Sequence, residues 1–199
     1  MPLPRFHRLS AQRRAEILGV AREHFARDGH ATASYNKIVA AAGISKTSAY
    51  QYFDGREDLL ETVLTDVLDR LAAALGPWTP ATTAAHFWPG LRTGMLRLLE
   101  HLAHHPDDAA LVGAAAERAA PGFDRWLTAV LDNGLAIGVI RRDIDPALLS
   151  AATGAVFHAA DAWLLDARRA GHAAPGAAEA VDQVLQLLAG LWRPTDSPV

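Results

Sequence analysis

No stretch of this sequence alternates apolar and polar residues with a period of two; its apolar side chains recur at helical spacing between prolines, glycines and capping residues. The chain is therefore expected to be all-α. A first helix is expected over Ser10–Asp28, with Ile17, Leu18, Ala21 and Phe25 on its buried face and Gly29 just past its end. A short helix over Ser34–Ala42 follows. Gly43 supplies positive φ for a tight turn, and Ser45 can cap a third helix ending near Phe53. Asp54 and Glu57 have the spacing of a capping box. They open a long amphipathic helix with Leu59, Leu60, Val63, Leu64, Val67 and Leu71, stopped by Gly76 and Pro77. The Pro/Thr-rich stretch Pro77–Thr83 reads as a loop. Five more helices are expected over about Thr82–His105, Asp107–Ala119, Gly122–Gly138, Pro146–Gly171 and Ala177–Trp192, punctuated by Pro106, Pro121, Pro146 and Pro175.

At 199 residues the chain can bury a substantial core, either as one domain or as a small domain fused to a larger one. It has no cysteine, which excludes disulfides and thiolate metal sites. No apolar run reaches the ~18–20 residues of a membrane span, and residues 1–10 lack the apolar core of an export signal. A cytoplasmic protein with no membrane partner is expected. The net charge of −3 hides a polarity along the chain. From Met1 to Phe53 eight bases (Arg5, Arg8, Arg13, Arg14, Arg22, Arg27, Lys37, Lys46) face three acids (Glu16, Glu23, Asp28), a surplus of five, so the remainder carries −8. A basic head on an acidic body suits a protein that touches a polyanion with one end.

Two helices joined by a short glycine-containing turn form the unit that places its second helix in the DNA major groove. Here the second helix carries the chemistry. In Ser45-Lys46-Thr47-Ser48-Ala49-Tyr50-Gln51-Tyr52-Phe53, Ala49 and Phe53 lie four apart and can face inward together. Lys46, Thr47, Ser48, Tyr50, Gln51 and Tyr52 are left to reach phosphates and base edges, and the run contains no acid. Tyr50 and Tyr52 also admit a plainer role as packing aromatics.

Four motifs stand here in a known order: Ile17-x3-Ala21-x3-Phe25-x3-Gly29, Ile38-x4-Gly43-Ile44-Ser45, Tyr50-x-Tyr52-Phe53 and Glu57-x-Leu59-Leu60. In order and spacing this segment, about residues 10 to 62, resembles the TetR-type (TetR/AcrR) transcriptional regulators. Residues 138–146 also resemble that family's usual connector between its seventh and eighth helices. The resemblance implies a three-helix DNA-binding head (residues 1–55), joined through a long fourth helix to a larger helical bundle (residues 56–199) that binds an effector and dimerises. It further implies that Ser34, Tyr35 and Asn36, at the start of the second helix, meet the DNA backbone. Lys46, Thr47, Ser48 and Gln51 would face the groove, while Tyr50 and Tyr52 bond phosphates and pack on sugars or thymine methyls. Arg56 stands where lysine is usual and brings a forked donor suited to phosphate. Thr47 replaces a common glycine, Ala49 a leucine and Val39 an alanine, so the operator sequence does not follow from the resemblance.

In the larger half, Phe87, Trp88, Met95, His101, Phe123, Trp126, Phe157, His158, Asp161 and Trp163 sit on otherwise apolar helices. They form the candidate effector pocket, with core packing as the alternative for each. The last two helices are apolar on one side and need partners, within the chain or across a two-fold axis. Leu148, Ala152, Val156, Val181, Val184, Leu188 and Leu191 are the candidate dimer face. His101 and His105 share a helix face near Asp108, but His104, His105, Asp107 and Asp108 around Pro106 read as a solvated helix end rather than a metal site. No metal, cofactor or catalytic residue is expected. The expected function is that of a homodimeric repressor released from a near-palindromic, double-stranded operator by an unknown small-molecule effector. The alternatives are an all-helical enzyme or carrier that does not bind DNA, and a DNA-binding regulator without a ligand; no nucleophile elbow, phosphate loop or HExxH motif supports the enzyme.

Overall fold

The computed structural model describes residues 2–116, 118, 121–169 and 176–194. Among these residues all regular structure is helical: α1 (Pro4–His7), α2 (Ala11–Asp28), α3 (Tyr35–Ala41), α4 (Lys46–Tyr52), α5 (Gly55–Leu75), α6 (Ala84–His104), α7 (Pro106–Ala116), α8 (Pro121–Ala136), α9 (Pro146–Arg169) and α10 (Ala177–Trp192). The expected helix ends at Ala119 and Gly171, and Pro175, lie outside the described residues. The one-turn α1 was not anticipated, because four residues are too few to show a period. No described helix is long and apolar enough to cross a membrane. The chain divides into two compact units, Met1–Arg70 with Leu102–Ala120, and Leu71–His101 with Pro121–Val199.

In the first unit, Ser10 caps α2 by accepting the Arg13 amide on Oγ at 3.2 Å. Ile17, Ala21 and Phe25 on α2, Ile38 on α3, Ala49 on α4, Phe53, and Leu59 and Leu64 on α5 are all buried. Gly43 turns the chain between α3 and α4 at φ +62, a conformation that costs a side chain with Cβ appreciable strain. The turn is fastened from α2, where Arg13 Nη2 donates to the Ala42 carbonyl at 2.9 Å and to that of Gly43 at 3.3 Å. At the start of α5 the Asp54 amide is met by Asp58 Oδ2 at 2.9 Å. The expected partner Glu57 is paired instead with Arg56, so the box closes one residue later than its spacing implied.

α7 packs on α2, and the contact carries a charge cluster. Asp108, expected in solvent, is fully buried. It lies 3.2 Å from Arg22 Nε and 2.9 Å from Arg70 Nε, while Arg22 Nη1 donates to Asp66 at 2.8 Å. Two guanidiniums make this burial tolerable, since a carboxylate taken from water requires paired charge and hydrogen bonds in return. Burial holds the Asp66 carboxyl above its ordinary range, with Arg22 and Arg70 pulling the other way.

The second unit is built on Leu75, Phe87, Leu91, Trp126, Leu127, Val130, Leu131, Val181, Val184, Leu188 and Trp192. Trp192 is wholly buried and satisfies its indole N–H on Thr153 Oγ1 at 3.0 Å, whose own hydroxyl donates to the Leu149 carbonyl at 2.8 Å. Gly134 lets Ile140 approach so closely that a Cβ there would stand 2.5 Å from Ile140 Cδ1. Asn133 pins the loop after α5, accepting from Trp78 Nε1 (3.0 Å) and the Ala81 amide (2.8 Å) and donating to the Ala81 carbonyl (2.9 Å). Between α6, α8, α9 and α10 lies an apolar cavity of about 50 Å³, lined by Met95, Phe123, Trp126, Phe157, Val181 and neighbours, with Asp161 as its charged member. Asp161 keeps part of its surface in solvent, yet the apolar side desolvates the carboxyl and pushes it up to about 6, against a smaller opposing influence of His158.

Two stability predictions follow from these charges. Asp108→Ala leaves Arg22 and Arg70 without their shared partner and should destabilise the protein by about 3 kcal/mol, the lower end for a broken buried pair. Urea unfolding should show this as a lower midpoint with an unchanged slope. Asp161 holds its proton more tightly in the folded chain than at its ordinary value of 3.8. Its contribution is therefore fully present below that value and is lost as pH rises towards about 6. Asp161→Asn should raise the melting temperature at pH 7.5, and the gain should vanish near pH 3.8; a gain independent of pH would refute the assignment.

Candidate nucleic-acid interface

α4 is positioned from its buried side. Ala49 and Phe53 are 0% and 1% exposed, so the opposite face of this seven-residue helix must point outward. Its N-terminus is closed by Ser45, whose Oγ accepts the Ser48 amide at 3.0 Å and donates to Ser48 Oγ at 2.9 Å. Lys46, Thr47 and Tyr50 are exposed, Tyr50 to 61%. Ser48, Gln51 and Tyr52 are half-buried along the edge of the same helix. On α3, Ser34 and Asn36 are exposed, and so is Lys37, which had entered only the charge balance. The outward surface of the two helices thus gathers a hydroxyl at Ser34, an amide at Asn36, ammonium groups at Lys37 and Lys46, Thr47 and the Tyr50 phenol, with no acid on either helix. Such a face can donate hydrogen bonds to phosphates and base edges and repels no polyanion.

Two expected contacts are placed differently. Tyr35 turns its hydroxyl into the protein, where that atom is buried without a hydrogen-bond partner among the described residues. Its ring lies 5.8 Å from that of Tyr50. Burial, with Tyr50 and Asp58 nearby, raises the phenol above its ordinary range. Arg56 is occupied internally: Nε donates to the Ala33 carbonyl at 2.9 Å, Nη2 donates to the His30 carbonyl, Nη1 pairs with Glu57, and the guanidinium sits 5.6 Å over the Phe25 ring. It ties the loop before α3 to the start of α5. The sequence signal for this role was present only as the Gly29–Ala33 loop, whose free carbonyls need donors.

In the second unit, Met95, Phe123, Trp126, Phe157 and Asp161 line the apolar cavity. Phe87 is fully buried in the core, and Trp88 stacks on Trp192 with centroids 5.8 Å apart. His101 is half-buried, while His158 and Trp163 are exposed. Of the candidate dimer residues, Val181, Val184 and Leu188 face inward and are buried in the core. Leu148 is 62% exposed, and Ala152, Val156 and Leu191 are half-buried. Leu187, not singled out from the sequence, is exposed to 62%. Leu187 lies off the apolar face that holds Val181, Val184 and Leu188; periodicity marks that face as apolar but does not say whether it packs within the chain or across a two-fold axis.

Residues 17–63 match the family model of bacterial regulatory proteins of the tetR family. No curated protein matches the chain. Among solved structures, the fatty acid degradation regulator FadR from Bacillus halodurans is 18% identical with a TM-score of 0.68, over 92% of this chain and 97% of that one. The transcriptional regulator FadR from Bacillus subtilis, solved in complex with stearoyl-CoA, is 18% identical with a TM-score of 0.67, over 87% and 96%. A TetR-like transcriptional regulator from Rhodococcus sp. RHA1 is 20% identical with a TM-score of 0.60, over 92% and 96%. Residues 17–63 thus match the tetR-family model, and the chain as a whole shares the helical fold of solved transcriptional regulators of that type.

Proposed function

We propose that this chain is a ligand-responsive repressor that holds a near-palindromic operator as a homodimer and releases it when a small apolar effector binds. The observation that carries the reading is the exposed, acid-free face of α4 on the segment that matches the tetR model. In the proposed complex Lys46 and Thr47 face the groove, with Gln51 and Ser48 along its edge. Tyr50 and Tyr52 offer phenols to phosphates, and Ser34, Asn36 and Lys37 meet the backbone beside α3. Tyr35 supports Tyr50 from beneath, and Arg56 acts by holding the loop rather than by touching DNA. The place of action is the cytoplasm, where bacterial DNA lies.

Reading a palindrome takes two heads spaced about 34–36 Å apart, so dimerisation is part of the function. α9 and α10 supply the proposed face. Leu148, Trp163 and Leu187 are exposed, and Ala151, Ala155, Ala159 and Ala162 on α9 are small enough for a twin helix to approach closely. The effector site is the apolar cavity. Its volume of about 50 Å³ admits only a small group, so a longer ligand must part the helices that line it. α5 contributes Leu75 to that lining and the buried Leu59 and Leu64 to the first unit, which makes it the proposed carrier of the displacement. Each tenfold loss of operator affinity requires ~1.4 kcal/mol of differential effector binding. The stearoyl-CoA found in Bacillus subtilis FadR supports an apolar effector for a chain of this fold.

Mobility shifts with the DNA upstream of the chain's own gene, at two salt concentrations, test the DNA half; binding should weaken steeply with salt. Lys46→Ala should weaken binding and lower the salt slope by about one unit per subunit. Tyr50→Phe should weaken it roughly tenfold through loss of a charge-assisted hydrogen bond, with the melting temperature of both variants unchanged. Wild-type affinity in both would mean that α4 does not read DNA. For the dimer, Leu148→Glu with Leu187→Glu should give a monomer by sedimentation and abolish tight operator binding; a double variant that remains dimeric would place the two-fold elsewhere.

A further inference from the structure

The first fifteen residues contain Arg5, His7, Arg8, Arg13 and Arg14 and no acid. Their cations have different occupations. Arg13 closes the Ala42–Gly43 turn, and Arg14 Nη1 donates to the carbonyls of His7 (3.1 Å) and Leu9 (2.8 Å). Arg5 and Arg8 are exposed, and their guanidinium groups make no hydrogen bond or ion pair among the described residues. They sit on α1, and α1 is seated on the end of α4. The Leu3 amide donates to the Tyr52 carbonyl at 2.8 Å. Phe6, 3% exposed, places its ring 4.8 Å from Phe53 and 6.2 Å from Tyr52.

This arrangement fixes where the two free arginines are carried. Phe6 faces inward, so Arg5 and Arg8, three residues apart, share the outer side of the turn. Two like charges at that spacing repel slightly, so nothing within the chain is gained by their pairing. A helix with its side chains nearly fills the width of the major groove, about 12 Å, and a phosphate strand therefore runs along each rim. An element clamped to the end of the reading helix arrives at that rim with it.

We propose that Arg5 and Arg8 contact the phosphate backbone of double-stranded DNA beside α4, making α1 a second DNA-contacting element outside the segment 17–63 that matches the family model. The proposal rests on α4 entering the groove, as set out above. Contacts of this kind set register and add affinity without reading sequence. Their signature is a loss that is equal on specific and non-specific DNA and scales with salt.

The test uses the full chain, the duplex from upstream of its own gene and a duplex of scrambled sequence and equal length, titrated from roughly 50 to 200 mM salt. Arg5→Ala and Arg8→Ala should each weaken binding to both duplexes by a similar factor, on the order of tenfold, and lower the salt slope by about one unit per subunit. The double variant should add the two losses, and Arg5→Lys with Arg8→Lys should restore the slope. Melting temperature and dimer mass should not move. Wild-type affinity and slope in the double alanine variant overturn the proposal, as does a loss confined to the specific duplex. If Lys46→Ala weakens binding while the double variant does not, only the role of α1 falls. If Lys46→Ala is equally silent, the DNA reading of α4 falls with it.

Discussion

Burial of Ala49 and Phe53 is what makes the seven residues of α4 a helix at all. An isolated helix of that length is far below the ~12–15 residues needed for marginal stability in water, because nucleation fixes several residues before any hydrogen bond repays it. Here the two inward side chains supply the missing stability, Ser45 satisfies the Ser48 amide, and Arg13 satisfies the carbonyls of the preceding turn. With the inner face fixed, the outer face is fixed too. The direction of Lys46, Thr47 and Tyr50 is thus a consequence of where Ala49 and Phe53 pack.

The arginines divide by what they do. Arg13, Arg14, Arg22, Arg27 and Arg56 hold carbonyls or carboxylates within the chain. Arg5, Arg8, Lys37 and Lys46 are exposed and free of such partners among the described residues. A guanidinium that bridges two backbone carbonyls still counts towards net charge, but its donors are no longer available to a phosphate. The cations left available to a phosphate are therefore fewer than the sequence tally contains. The remaining ones cluster on α1, α3 and α4.

The second unit solves a different problem. Its core is crowded with aromatic rings, Trp78, Phe87, Trp88, Trp126 and Trp192 among them, in edge-on or stacked pairs. Indole N–H groups in such surroundings need acceptors, and Asn133 and Thr153 provide them. Against this satisfied core, Asp161 is the exception: a carboxyl beside an apolar cavity, with burial raising its proton affinity.

Much of the architecture was legible in the residues themselves. The ends of α2, α4 and α10 follow from Ser10, Ser45, Gly29 and the apolar spacing. Periodicity is a local property of a helix, and capping is decided within a few residues. What the sequence could not settle was which of several equivalent groups finds a partner. Asp108 looked solvated and is buried between Arg22 and Arg70; Arg56 looked free and is tied to Ala33; the apolar face of α10 had either a partner within the chain or one across a two-fold axis, and its Val181, Val184 and Leu188 are buried in the chain's own core. Each of these depends on a contact with a residue distant in the chain or on the few tens of degrees by which a helix is rotated against its neighbours. The sequence by itself determined where helices begin, end and turn, because those preferences act over one or two turns. Only the tertiary structure decided which charges are held inside and which are offered outward, because that choice is made between residues that the sequence keeps apart.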